Sequence, residues 1–235
     1  LSFPLINKKN MKSYKITLLP GDGIGPEITK VTHQILKLVS KKFDFELKFK
    51  EMPFGGSAIE SNGIPFPDQT LQECKNSDAV LLAAIGDPKY DQLPREKRPE
   101  TGLLKLRSSL DLFANIRPVK IIPSLTKASS LKEEFINDVD LVVVRELTSG
   151  IYFGEPKGRI KTEKGERAFN TMTYTSEEVK RIAEIAFKLA QKRKQKVCSV
   201  DKANVLDVSQ LWREETILVS NNFKEIELTH QYVDN

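Results

Sequence analysis

Residues 14–29 read YKITLLPGDGIGPEIT, and this stretch sets the fold class. Tyr14–Leu19 is a short apolar run that ends at a Gly/Pro turn, the mark of a buried strand. PGDGIGPE turns the chain. A helix opens at Pro26, where the missing N–H of proline does no harm. Glu27 suits the positive end of that helix. Ile28, Val31, Ile35, Leu38 and Val39 recur at helical spacing to about Ser40, so the helix is expected to bury this stripe. Strand, glycine turn and helix together open an α/β fold.

The same alternation continues outward. Phe43–Lys50 (FDFELKFK) alternates apolar and charged residues and predicts a half-buried strand. Ala79–Ile85, Leu141–Val144 and Val197–Val200 are apolar and predict fully buried strands. Leu112–Pro118 reads as a short extended segment. Ser176–Lys194 predicts a helix that starts at a T-x-x-E capping box, Thr175 and Glu178. Its apolar face is Val179, Ile182, Ala183, Ala186, Leu189 and Ala190. A further helix is expected from about Val208 to Val219, with Leu211, Trp212, Leu218 and Val219 inward. Asp87–Glu100 (DPKYDQLPREKRPE) is polar and rich in proline, as a surface loop or hinge is. The division this suggests is a disordered or non-native leader over residues 1–10, the N-terminal part of a first α/β domain over 11–112, and a second α/β domain over 113–235.

Composition narrows the function classes. The 235 residues are 39% hydrophobic and 29% charged, a globular balance rather than a disordered one. The 37 basic and 32 acidic residues leave a net charge of +5. That excess is spread along the chain, which favours small anionic ligands over nucleic acid. The basic run Lys192–Lys196 sits at a predicted helix C-terminus, where cations are favoured anyway. Cys74 and Cys198 match no metal spacing and form no disulfide framework, which points to a reducing compartment. The longest apolar run, Ala79–Ile85, is too short to span a bilayer. LSFPLINKKN before Met11 has neither a secretory nor a transit-peptide pattern. The chain stops at HQYVDN without a helix stop or tail, which suits an interrupted sequence at least as well as a natural end.

Several residues could carry chemistry. Gly21, Gly23 and Gly25 lie between a strand and a helix, the setting for anion binding. They do not form G-x-G-x-x-G, so they fail the dinucleotide fingerprint, and a tight turn without ligand fits equally well. Arg107, Arg117 and Arg145 stand in apolar surroundings. A guanidinium at the end of a buried strand is costly unless an anion meets it, either a local Asp or Glu or a ligand carboxylate. Tyr152, between Gly150 and Gly154, is either a core aromatic or a general acid. Lys202 follows a predicted strand, where ligands gather in open sheets; it is either a base or a surface lysine paired with Asp201. Asp234 alone makes no metal site. His33 and His230 have no companion ligands.

Taken in order, LLPGDGIGPE, ETGLLKLRSSLDLFANIRP, VRELTSGIYFGEP, SVDKANVL and HQYVDN resemble the β-decarboxylating dehydrogenases, and among them the 3-isopropylmalate dehydrogenases. The resemblance runs from about Met11 to Asn235. It implies a two-domain α/β fold with a cleft between the domains, distinct from the standard Rossmann fold, with the first domain incomplete in this chain. It also implies a cytoplasmic homodimer that oxidises and decarboxylates 3-isopropylmalate with NAD and Mg²⁺ or Mn²⁺, in leucine biosynthesis. By resemblance Arg107, Arg117 and Arg145 hold the substrate carboxylates. Lys202, from the partner subunit, helps deprotonate the hydroxyl, Tyr152 protonates the carbon left by decarboxylation, and Asp234 is the first metal carboxylate.

Leu103 and Leu104, with Glu100 beside them and Val205 near Lys202, fall where the resemblance puts the side-chain pocket. Apolar walls suit an isopropyl group and would leave a third carboxylate unpaired. The resemblance also implies further metal aspartates and most of the cofactor surface beyond residue 235. The chain by itself is therefore expected to be inactive and poorly stable. Competing expectations are a dehydrogenase of isocitrate, homoisocitrate or tartrate, and a truncated non-enzymatic chain that dimerises. Neither nucleic acid nor membrane is an expected partner.

Overall fold

The computed structural model describes residues 11–235; the leader expected over residues 1–10 lies outside them. The chain divides into two compact units, one ending at Leu110 and one spanning Asp111–Asn235.

In the first unit, β1 (Ser13–Gly21) leads into α1 (Gly25–Lys42) and β2 (Glu46–Glu51). Then come α2 (Gly56–Asn62), α3 (Asp68–Lys75), β3 (Ala79–Ala84) and α4 (Pro99–Ser109). The three strands form a parallel sheet in the order β2-β1-β3, with Ile16 opposite both Phe49 and Ala79. Parallel neighbours need crossover connections, and the helices supply them. Leu19, Met52, Phe54, Phe66, Cys74 and Leu106 form the core, joined by the partly buried Leu103 and Leu110. Phe54 and Phe66 meet edge to face at 5.3 Å. The segment expected as a loop over Asp87–Glu100 holds two short 3-10 turns and the start of α4, and it buries Tyr90.

Two expectations fail in this unit. β3 is half-buried rather than fully buried, because it lies at the edge of the sheet. The helix α1 turns its apolar stripe outward: Ile28, Val31, Ile35, Leu38 and Val39 are all exposed, Leu38 at 69%. Gly25 and Thr29 are buried instead, with Thr32, His33, Leu36 and Ser40 half-buried behind them. A close approach at the helix start accounts for this. A Cβ on Gly25 would collide with the carbonyl oxygen of Pro20. The face led by Gly25 is therefore the one that settles near the sheet, and His33 packs its ring 4.3 Å from Phe49.

The second unit contains β4 (Ala114–Lys120), the single turn α5 (Glu133–Ile136) and β5 (Asp140–Glu146). The hairpin of β6 (Gly158–Thr162) and β7 (Gly165–Phe169) follows. The chain closes with α6 (Ser176–Gln191), β8 (Lys196–Asp201), α7 (Asp207–Ser220) and β9 (Glu227–Tyr232). β4 and β5 pair antiparallel, while β8 and β9 pair parallel. The capping box of α6 is present: Thr175 Oγ1 accepts from the Glu178 N–H, and the Glu178 carboxylate accepts from the Thr175 N–H at 2.8 Å. Val179, Ile182, Ala183, Phe187 and Ala190 are buried along α6. Phe187 stacks on Phe223 at 5.2 Å, in a core shared with Val219 and Ile226.

β5 and β8 alternate rather than lying fully buried. Leu141 and Val143 are exposed, and so is Val200, whereas Ser199 and Asp201 are buried. Each strand belongs to a two-stranded sheet with only one face covered, so a period of two reappears. On α7, Leu218 points outward at 55% exposure while Glu215, Thr216 and Val219 are buried.

Candidate functional site

The glycine turn after β1 is a junction of three strand ends. The Asp22 carboxylate accepts from the Gly56 N–H at 2.6 Å and the Asp87 N–H at 2.9 Å, and the Asp22 N–H donates to the Ala84 carbonyl. The loops that follow β1, β2 and β3 are thus tied at the carboxyl ends of the strands, where open α/β sheets collect ligands. Gly21 has φ +77°, and a Cβ there would collide with the Ala84 carbonyl oxygen. Close backbone approach explains Gly21 and Gly25 without any ligand.

On α4, Glu100, Leu104 and Arg107 are spaced four and three residues apart and so share one face of the helix. Leu103 falls on the neighbouring face and packs against the core with Leu106 and Leu110.

In the second unit, the register of β4 and β5 gathers the next candidates. Asn115 is opposite Arg145, and Arg117 is opposite Val143. Cross-strand partners and residues two apart share a face. Arg117 and Arg145 are therefore diagonal neighbours on one face, at a spacing of roughly 7–8 Å that long side chains can bridge. Arg145 is exposed rather than sunk at the end of a buried strand; the alternation of β5 turns Glu146 inward in its place. The Arg117 Nε donates to the amide oxygen of Asn115 at 2.6 Å. The Arg145 guanidinium lies 5.7 Å from the ring centroid of Tyr152, and that ring is half exposed. Two guanidinium groups and a phenol on one open face can grip a dicarboxylate and deliver a proton to it.

The turn that carries Tyr152 is held from beneath. The Glu146 carboxylate accepts from the N–H groups of Thr148 and Ser149 and from Thr148 Oγ1 at 2.7 Å. Arg181 donates to Thr148 Oγ1 at 2.7 Å and reaches Glu146 at 3.4 Å. Its guanidinium also covers the Phe113 ring. Ser149 Oγ donates to the Glu178 carboxylate. The Gly150 N–H donates to Thr173, and a Cβ at Gly150 would collide with the Tyr174 hydroxyl. Burial pushes the Tyr174 hydroxyl up from its ordinary value.

A second group sits where β8 and β9 end. Lys202 Nζ meets Asp234 Oδ1 at 2.6 Å. Asp201 does not pair with Lys202 as the sequence suggested. Both its oxygens are taken by Arg213, from Nε at 2.9 Å and Nη2 at 2.8 Å. The Tyr232 ring lies 5.0 Å from the Arg213 guanidinium and 5.9 Å from Lys202 Nζ. The bond from Lys202 holds the Asp234 carboxyl below the usual range. Val205 is exposed in the turn after β8.

Sequence reasoning missed Asp22, Glu146, Thr148, Arg181 and Arg213. Glu146 carried a usable signal, as a carboxylate at the very end of an apolar strand. Among the described residues, no group of three or more His, Cys, Asp or Glu side chains could hold a metal ion. Asp234 offers one carboxylate, short of the about six oxygens that a hard divalent cation takes. No helix among them is long and apolar enough to cross a membrane.

These features define an α/β protein with a glycine junction at its parallel strand ends and an open face carrying Arg117, Arg145 and Tyr152. Residues 15–235 match the model of the isocitrate/isopropylmalate dehydrogenase family, and the chain belongs to that family. It is 90% identical over 225 residues to a 3-isopropylmalate dehydrogenase of Prochlorococcus marinus (strain NATL2A), and 62% identical to one of Synechococcus sp. (strain CC9605). Each match covers 96% of this chain but 63% of the relative, so the chain spans under two thirds of its curated relatives' length. Among solved structures, an isocitrate dehydrogenase from Methylococcus capsulatus superposes with a TM-score of 0.79 at 28% identity, over 94% of this chain and 61% of that one. A β-decarboxylating dehydrogenase from Thermococcus kodakarensis gives 0.68 at 28% identity, over 94% and 58%.

Proposed function

We propose that this protein oxidatively decarboxylates (2R,3S)-3-isopropylmalate to 4-methyl-2-oxopentanoate with NAD, in the leucine pathway of the cytoplasm. The observation that carries the reading is the shared face of Arg117 and Arg145 beside Tyr152. Neither the Asn115 amide oxygen that Arg117 meets nor the Tyr152 ring beside Arg145 neutralises a guanidinium, so an anionic ligand is the natural complement. Arg107 is assigned to the substrate carboxylates as well, by the family resemblance alone. The family resemblance assigns Glu100, Leu103, Leu104 and Val205 to recognition of the isopropyl group.

Lys202 helps deprotonate the substrate hydroxyl, and Tyr152 gives a proton to the carbon that loses carbon dioxide. When bound, NAD would supply a hydride acceptor and Mg²⁺ or Mn²⁺ a positive charge near the substrate oxygen. Asp234 would be one metal carboxylate, and among the described residues no further cluster completes the site. The Lys202–Asp234 pair acts in the partner subunit's site of a homodimer.

The test uses the chain completed with the remaining segment of the 90% identical relative. NADH formation with 3-isopropylmalate above isocitrate, homoisocitrate or tartrate is the expected result. Faster turnover of isocitrate overturns the substrate, and no NADH with any of them overturns the enzyme reading. Lys202→Met is expected to abolish turnover while sparing substrate binding; near-normal turnover would remove Lys202 as the base.

A further inference from the structure

We propose that Glu146, Thr148 and Arg181 are positioning residues that hold the Tyr152 turn at the angle needed for proton delivery. The inference rests on the dehydrogenase reading and extends it to residues that touch neither substrate nor cofactor.

Glu146 is 6% exposed and sits between Arg145, on the open face, and the turn that leads to Tyr152. A buried carboxylate needs several donors to be tolerated, and here the donors all come from the segment it shapes or from α6. The N–H groups of Thr148 and Ser149 wrap it. Thr148 Oγ1 is the hub: it donates to Glu146 and accepts from Arg181, each at 2.7 Å. Arg181 is anchored in turn on Asp111 at 3.2 Å and over Phe113 at 4.4 Å. Ser149 and Glu178 add a second tie to the start of α6. The turn is thus fastened to a capped helix three and four residues before Tyr152, while the Tyr152 ring itself meets Arg145. A side chain that must reach a transient carbanion gains from such restraint, since small misplacements are expensive in rate.

Carbon dioxide leaves and the electrons of the broken C–C bond pass into the enolate. The carbon that bore the carboxyl group then takes the proton of the Tyr152 hydroxyl, and the phenolate recovers one from solvent. In D₂O a fixed tyrosine delivers deuterium to one face only, so the product methylene carries it in one configuration. A tyrosine that has swung away lets the enol leave and pick up deuterium from either face.

The experiment is turnover of 3-isopropylmalate in D₂O by the completed chain, with product configuration read by NMR. The wild type is expected to give one configuration. Thr148→Val, which keeps the shape and removes the hub, is expected to lower kcat by roughly tenfold to hundredfold. It should leave KM unchanged and scramble the deuterium. Thr148→Ser, which restores the hydroxyl, is expected to recover both readouts. If Thr148→Val does not fold, Arg181→Lys takes its place with the same readouts. Retained configuration in the variant, at any kcat, overturns the inference and leaves a structural role. Scrambling in the wild type overturns Tyr152 as donor and the inference with it. A wild type that forms no NADH overturns the dehydrogenase reading itself.

Discussion

The helices α1 and α6 have the same kind of sequence and opposite fates. Both carry an apolar stripe at helical spacing. In α6 it is buried, with Val179 and Phe187 fully enclosed. In α1 the stripe faces outward, and the face led by Gly25 and Thr29 is the buried one. Periodicity therefore reveals that a helix has an apolar side, but the neighbours decide whether that side is used. Capping adds to the contrast. α6 opens on a reciprocal Thr175–Glu178 box, whereas the residue before α1, Ile24, provides no side-chain cap.

The largest test of this contrast is truncation of the two apolar faces. Phe187→Ala is expected to cost the chain about 3–5 kcal/mol of unfolding free energy in urea. Leu38→Lys, at 69% exposure, is expected to stay within about 0.5 kcal/mol. Equal losses would mean that α1 buries its stripe in solution. A smaller effect comes from the cap: Thr175→Ala is expected to cost about 1 kcal/mol, read from the same unfolding curves.

The smallest effect is the dependence of this cap on acid. Burial alone would raise the Glu178 carboxyl, but bonds from Ser149 and Thr175 and the nearby Arg181 hold it below its usual value of 4.5. A carboxylate depressed by folding stabilises the native state above its unfolded pKa and loses that contribution as pH falls through its folded value. Thermal stability is thus expected to drop below about pH 4.5, and Glu178→Gln is expected to flatten that slope. An unchanged slope would remove Glu178 from the account.

What the sequence made legible was local. The capping box, the glycine junction and the alternation of strands and helices all rest on short spacings, and they stand in the structure. What it hid was pairing at a distance. Lys202 lies next to Asp201 in the chain, yet it pairs with Asp234, because Arg213 comes from α7 to occupy Asp201. Arg145 looked like a charge at the end of a buried strand. The two-stranded pairing with β4 instead exposes it beside Tyr152 and turns Glu146 inward. Thr148 and Arg181 had no signal at all, since their role depends on α6 returning beneath the Tyr152 turn.

The central claim is that the face shared by Arg117, Arg145 and Tyr152 receives the carboxylates of the substrate. Calorimetric titration of 3-isopropylmalate into the completed protein and its Arg145→Ala variant tests it most directly. Loss of a charge-assisted bond of about 1.5–3 kcal/mol predicts a Kd weakened by roughly tenfold to more than hundredfold. An unchanged Kd would contradict the claim and return Arg145 to a surface role.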